Sequence, residues 1–312
     1  MDRKLITIVS PCFNEEENVR EMHRRLKVMA SQLPEYRFNF LFIDNASKDG
    51  TVKVLRELAA EDPSVKVIVN ARNFGAVRSS MHGLLQAEGA AVGAIAADLQ
   101  EPPELFVEMA RKWETGIPIV AAIKTSSDES WLMYRIRTAY YRLVGRLANV
   151  EVLQHHTGFG LYDRSVMEHM RTEFPDPYPY FRGIIAELGL PYATVSYNQS
   201  RRERGITKYN FYSLYDMAML GITNLSKVPL RLVIFGGFVS AMVSFLAGVF
   251  YFVYKLAFWN SFTVGIAPLV LGLFFMGSVQ MISIGIIGEY VGSIHSFVQD
   301  RPLVTERERI NF

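Results

Sequence analysis

Through the first 125 residues, short apolar runs of strand length alternate with stretches whose apolar residues recur at helical spacing. LITIVSP is followed by NEEENVREMHRRLKVMASQL, FNFLFIDN by DGTVKVLRELAAED, and VKVIVNA by the small-residue stretch AVRSSMHGLLQAE. AVGAIAADL then precedes PPELFVEMARKWETG, and PIVAAIK closes the series. Strand–helix alternation of this kind predicts a mostly parallel sheet with helices on both faces. In such sheets ligands bind at the carboxyl ends of the strands. No G-x-G-x-x-G follows the first strand and no P-loop is present, which removes the usual dinucleotide and Walker readings.

The pattern changes beyond about residue 225. Leu232 to Tyr254 contains no charged residue, and neither does Phe262 to Gly288. Each run exceeds the ~20 residues that cross a bilayer as a helix. The chain therefore divides into a domain over 1–228, two membrane helices within 229–290 (about 232–254 and 264–288) and a tail over 291–312. Neither run is N-terminal, which argues against a signal peptide. Lys227 and Arg231 precede the first run, Arg301, Arg307 and Arg309 follow the second, and the connector carries one lysine. The positive-inside rule then puts both flanks, and with them the N-terminal domain, in the cytoplasm. The expectation is an integral protein of the plasma membrane. Gly236, Gly237 and Gly248 permit close helix packing, so a homo-oligomer is expected.

Charge and cysteine content narrow the picture. A net charge of +2 gives no field that would favour nucleic acid. Cys12 is the single cysteine and cannot form an internal disulfide, in agreement with a reducing compartment. In DESWLMYRIRTAYYRLVGRLANV (128–150), Trp131, Leu132, Ile136, Tyr140, Leu143 and Leu147 lie at helical intervals among arginines. That is the pattern of a basic amphipathic helix lying in the membrane interface, or of an ordinary surface helix. A second such segment, about 209–228, leads into the first membrane helix.

Three polar clusters fall at strand ends: PCFNEEEN (11–18), DNASKDGT (44–51) and ADLQEPPE (97–104). Each has a plain structural reading. Asp49 or Ser47 can cap the next helix, and the prolines of EPPE suit a first helical turn. Together at one sheet edge they suit ribose and base recognition, or a hard divalent ion. Mg²⁺ or Mn²⁺ prefers oxygen ligands and binds through one or two carboxylates plus substrate phosphates. Asp98 and Gln100 form such a sparse set. Downstream, RRERGITKY (201–209) gathers Arg201, Arg202, Arg204 and Lys208 around Gly205, a composition suited to phosphate or to an anionic membrane surface.

With PCFNEEENV, D-N-x-S-x-D-G-T, RNFG (72–75), DLQEPPE, R-x-x-G-x-T-K and two C-terminal membrane helices, nearly the whole chain resembles the membrane-associated family 2 glycosyltransferases. The likeness is to the polyprenyl-phosphate group, which includes bactoprenol glucosyltransferases and dolichol-phosphate mannose synthases. It implies an α/β GT-A (nucleotide-diphospho-sugar transferase) fold. It also implies transfer of a sugar, glucose first, from a UDP-sugar donor to the phosphate of a polyprenyl lipid. Pro11, Phe13, Asn14, Glu15 and Asp44 would line the nucleotide pocket, with Asn73 nearby. Asp98 and Gln100 would hold Mg²⁺ or Mn²⁺ against the donor diphosphate. Arg202 and Lys208 would bind phosphate and, with Asp98, carry catalysis; Arg135 and Arg137 would meet the lipid phosphate. GDP-mannose, a modified UDP-sugar, or a non-catalytic nucleotide-sugar binder are the alternatives. Two positions depart from the family pattern. Ala96 stands where relatives commonly carry the first acid of D-x-D, and Gly158 where many place a base aspartate. Asp163, five residues on, is the possible substitute, or else pairs with an arginine or caps the next helix.

Overall fold

The computed structural model describes residues 3–127, 153, 155–199, 219, 221, 223, 226–258, 266–299 and 301–312. The amphipathic segment at 128–150, with Arg135 and Arg137, lies outside the described residues, as do Arg202 and Lys208.

The apolar runs form strands β1 (Leu5–Cys12), β2 (Arg37–Asp44), β3 (Val65–Asn70), β4 (Ala91–Ala94) and β5 (Ile119–Ser127). The helical patterns form α1 (Val19–Ser31), α2 (Thr51–Glu61), α3 (Ala76–Gln86) and α4 (Phe106–Glu114), the last entered through a 3₁₀ turn at Pro103–Leu105. Beyond them come β6 (His156–Asp163), α5 (Arg164–Glu173), α6 (Phe181–Leu188) and β7 (Tyr192–Gln199). Two long helices, α7 (Val228–Ala257) and α8 (Ile266–Val298), precede a last strand, β8 (Glu306–Ile310).

The eight strands make one sheet in the order β7-β5-β6-β4-β1-β2-β3-β8. The pairs β1–β2, β1–β4, β2–β3 and β5–β7 are parallel, whereas β6 and β8 run antiparallel to their neighbours. The sheet is thus α/β and mixed, with its parallel part built from the strands that the apolar runs mark. These strands are buried on both faces, which is why they read as continuous apolar runs. Phe40 and Phe42 point into a core with Met22 and Leu26 of α1, Leu55 of α2 and Phe106 of α4. Leu41 and Ile43, on the other face, meet Met81 and Leu84 of α3, Met167 of α5 and Ile184 of α6. The small residues of α3 matter here. A Cβ on Gly83 would lie 2.9 Å from Ile43 Cγ2 and from Val9 Cγ1, so only glycine lets this helix approach the sheet so closely.

Helices α7 and α8 contain candidate spans at Val228–Tyr254 and Gly272–Val298, and no part of either window is buried. They are long and apolar enough to cross a membrane. Helix α8 continues to Val298, well past the end of the uncharged run at Gly288, and so takes in Glu289. The C-terminal segment expected as a tail is instead part of the sheet. Its strand β8 pairs with β3, from Val67 opposite Ile310 to Asn70 opposite Glu306. Half-buried and exposed positions alternate along ERERI, with Ile310 packed against the core, as fits a charged edge strand.

Candidate active site

The carboxyl ends of β1, β2, β3 and β4 lie along one edge, and the antiparallel β6 and β8 begin there. Strands β5 and β7 also run toward that edge, so the segments after Ser127 and Gln199 both leave from it. Non-glycine residues with positive φ concentrate at the same place: Asn14, Ala46, Leu99 and His155 lie between 53° and 61°. Such backbone is uncommon for these residue types and gathers where a loop is held for function.

The first two loops are knitted together. Pro11 is the last residue but one of β1 and Phe13 follows the strand, both half-buried. Asn14 N–H donates to Ser47 Oγ (2.8 Å), and Lys48 N–H donates back to Asn14 Oδ1 (2.7 Å). Glu15 is buried; its N–H donates to Thr51 Oγ1 (2.8 Å), and its Oε2 accepts from Asn18 Nδ2 (2.6 Å). Asp44 is fully buried and accepts from the N–H (3.0 Å) and hydroxyl of Ser47. Burial pushes its carboxyl above the ordinary range, against the pull of those bonds. Asn73 braces the neighbouring loop: its Oδ1 accepts from Asn45 Nδ2 (2.9 Å) and Gly75 N–H (2.8 Å). Pro11, Phe13, Asn14, Glu15, Asp44 and Asn73 are therefore brought to one edge. The hydrogen bonds of Asn14, Asp44 and Asn73 shape the loops that form it.

At the end of β4 the chain turns sharply through Leu99, with φ of 60°, so that Asp98 and Gln100 become neighbours. Gln100 N–H donates to Asp98 Oδ1 at 3.3 Å. Among the described residues no group of three or more His, Cys, Asp or Glu side chains could hold a metal. One carboxylate and one amide oxygen fit a hard ion that takes its remaining ligands from water and substrate phosphate, as Mg²⁺ commonly does.

Beside this turn lies Glu101, which sequence reasoning passed over as part of a helix start. It is 5% exposed. Its Oε2 accepts from Ala96 N–H (3.2 Å), and its Oε1 accepts from Thr157 Oγ1 (2.8 Å) and Tyr197 OH (3.4 Å). One carboxyl thereby joins the turn after β4 to the start of β6 and the end of β7. Burial raises its pKa to about 7, Thr157 and Ala96 opposing that shift and the charge of Asp98 adding to it. The missed signal was a second acid in DLQEPPE, ahead of the 3₁₀ turn, with no helical position to occupy. Glu101→Ala takes the acceptor from all three donors and is expected to cost about 1–3 kcal/mol of stability, whereas Glu101→Gln keeps an acceptor and costs less. Thermal melting of the two variants checks this.

The remaining candidates separate clearly. Gly158 lies in β6 at φ +105°, so any side chain there is strained, although the nearest atom to an added Cβ is Phe181 Cδ1 at 3.8 Å. Asp163 stands opposite Ala91, at the far edge of the sheet. It caps α5 by accepting from Ser165 N–H (2.9 Å) and also accepts from Trp113 Nε1 (2.8 Å). It is a cap and not a substitute base. Cys12 is buried under β2, its Sγ 3.5 Å from Ile43 O, as a packed small residue.

A family model described as glycosyl transferase family 2 matches residues 7–171, which takes in most of β1, all of β2 to β6 and all three polar loops. The chain is a family 2 glycosyltransferase. This glycosyltransferase is 33% identical over 298 residues to the SfII prophage-derived bactoprenol glucosyl transferase of Shigella flexneri, covering 95% of this chain and 96% of that one. It is 35% identical over 299 residues to the uncharacterized glycosyltransferase YkcC of Bacillus subtilis, covering 95% and 91%. Among solved structures, the mannosyltransferase PcManGT of Pyrobaculum calidifontis, in complex with GDP-Man and Mn²⁺, aligns over 96% of this chain and 89% of its own. That alignment has 13% identity and a TM-score of 0.49, a likeness that transfers no residue role. The family 2 glycosyltransferase assignment accords with the α/β GT-A architecture and with polar loops at the carboxyl edge of the sheet.

Proposed function

We propose that this glycosyltransferase moves glucose from UDP-glucose to the phosphate of a polyprenyl lipid at the cytoplasmic face of the plasma membrane. The observation that carries this reading is the 33% identity to a bactoprenol glucosyl transferase along 95% of the chain. Two features of the molecule support it: the loops that carry Asn14, Asp44 and Asp98 share one edge, and the segments leading to Arg135 and Arg202 leave from that edge.

In this reading Pro11, Phe13, Asn14, Glu15 and Asp44 receive the nucleoside, with Asn73 beside them. Asp98 and Gln100 would hold Mg²⁺ or Mn²⁺, which when bound supplies positive charge to the departing diphosphate. The acceptor is a phosphate monoester whose second pKa is roughly 6, so at neutral pH it is mostly a dianion and no residue has to remove a proton. One of its oxygens attacks the anomeric carbon from the face opposite the diphosphate, the C–O bond to the diphosphate breaks, and its electron pair leaves with UDP. The product is inverted, β-linked from an α-linked donor. Arg202 and Lys208 neutralise phosphate charge, and Arg135 and Arg137 meet the lipid phosphate. Alignment and electrostatic stabilisation are then the protein's whole task.

Gly158 fits this base-free scheme. Gly158→Asp is expected to destabilise the fold by about 1–3 kcal/mol, because the residue must keep a positive φ, and to leave turnover at neutral pH no faster. A large acceleration would show that a base had been missing. A non-catalytic nucleotide-sugar binder is the second reading, favoured by Ala96. Membranes containing the full chain, given polyprenyl phosphate and radiolabelled UDP-glucose, GDP-mannose and modified UDP-sugars with and without EDTA, separate the cases. Transfer from UDP-glucose that EDTA abolishes is expected. No transfer from any donor would favour the binder, and transfer indifferent to EDTA would remove the metal from Asp98.

A further inference from the structure

At the end of β3, away from the proposed metal turn, three arginines gather with no acidic partner among the described residues. Arg72 and Arg78 both lie over the ring of Phe74, their guanidinium carbons 3.9 and 5.5 Å from its centroid. Arg301 is close enough that it and Arg72 both disfavour the charged form of Arg78, whose pKa is lowered first of all by burial. Among the described residues no carboxylate lies within salt-bridge distance of Arg72, Arg78 or Arg301, and the buried Nε of Arg78 has no hydrogen-bond partner. A buried donor of this kind is uncommon in a native protein and calls for an acceptor. The aromatic ring orders two guanidinium groups and leaves their charge uncompensated.

The position of the cluster says what meets it. Arg78 Nη2 donates to Pro302 O at 2.6 Å, and the candidate span in α8 ends at Val298. Arg301 is three residues beyond that end. Three residues reach at most about 10 Å, roughly the depth of the headgroup layer. We infer that Arg72, Arg78 and Arg301 form a binding surface for the phosphate of an anionic bilayer lipid, seated where α8 leaves the membrane.

The cluster is not placed to serve the donor or the acceptor phosphate. In the sheet order β4-β1-β2-β3, the strand preceding Arg72 is three steps from the strand preceding Asp98. At ~4.8 Å per step this is about 14 Å, too far for a phosphate held by the arginines to reach a sugar whose diphosphate lies at Asp98. The separation rests on the proposed metal turn; the lipid contact itself rests only on α8 spanning a bilayer. Arginine suits the role because its planar fork takes phosphate in a bidentate manner. Bound lipid at this corner would fix the tilt of the catalytic domain and keep its loop edge toward the bilayer.

The test uses the full chain in detergent micelles with added phosphatidylglycerol, phosphatidylcholine or inorganic phosphate, read as the shift in melting midpoint. Phosphatidylglycerol is expected to raise the wild-type midpoint by about 3 °C or more over phosphatidylcholine, the shift for a roughly tenfold excess over Kd. Arg72→Gln/Arg301→Gln keeps the Arg78–Pro302 bond and is expected to lose most of that difference. The charge-matched control Lys53→Gln/Lys227→Gln, at exposed positions, is expected to keep it. Arg301→Gln alone, at an exposed position in the α8–β8 connection, should lose about half. Equal losses in both double variants would overturn the inference in favour of diffuse charge. Millimolar inorganic phosphate reproducing the shift would overturn it in favour of a soluble anion. Failure of sugar transfer from every donor would leave these shifts unchanged, so the two readings fail separately.

Discussion

Asp98→Asn is expected to lower turnover by roughly 10²–10³-fold while leaving the melting midpoint within a few degrees of wild type. The asymmetry follows from what the carboxylate does in the fold and in the proposed reaction. In the fold, Asp98 Oδ1 accepts a long bond of 3.3 Å from Gln100 N–H, which an asparagine oxygen can still accept. In the reaction, its charge is the carboxylate share of the ligand set, because position 96 is alanine. Removing that charge weakens the hold on a divalent ion that stabilises the departing diphosphate. Gln100→Ala removes a neutral ligand and should reduce turnover less. The measurement is sugar transfer across a manganese titration, with thermal melting alongside. Turnover within about threefold of wild type at every metal concentration would show that the ion is held elsewhere.

How much of this was legible in the sequence differs by element. Parallel strands buried on both faces advertise themselves as apolar runs, so β1 to β5 and the helices between them follow from pattern alone. Strand β6 begins with HTGFG and β7 reads YATVSYNQ; both mix polar and apolar residues because they cross from core to site. Strand β8 was hidden for another reason. ERERI has the charge density of a solvated tail, and only its pairing with β3 makes every second residue half-buried. The polar loops could be located, since they are the ends of legible strands. Their internal wiring could not. That Asn73 holds Asn45, or that Glu101 reaches Thr157, depends on contacts across 28 and 56 positions of sequence. Leu99 shows the limit most clearly: nothing in its identity announces a positive φ, yet that φ sets Asp98 beside Gln100.

Ending the chain after Pro302 is expected to abolish the folded catalytic domain, although every proposed site residue is retained. Strand β3 is among the most buried elements, with Val67, Ile68 and Val69 all at 0% exposure. Without β8 its outer backbone groups lose their partners and an apolar strand becomes an open edge, which costs stability and invites aggregation. The loss reaches further than the ladder. Asn311 Nδ2 donates to Ala59 O (2.7 Å) and Val65 O (2.9 Å), tying the end of α2 to the start of β3. Ala71 N–H donates to Thr305 O (2.8 Å), His82 meets Glu306 at 2.5 Å, and Val304 is buried. Together these exceed any single substitution, and a destabilisation above about 4 kcal/mol is expected. By contrast Arg56→Ala, which breaks an exposed pair with Glu308, should cost about 1 kcal/mol or less. Limited proteolysis and thermal melting of the truncated chain decide the matter, and a midpoint within a few degrees of wild type would refute it. The functional consequence follows from direction. Strand β8 enters the sheet at Asn70, on the edge that carries the polar loops, only eight residues after α8 ends. The same strand that closes the sheet therefore ties the end of the apolar helix α8 to the edge at which donor and lipid are proposed to meet.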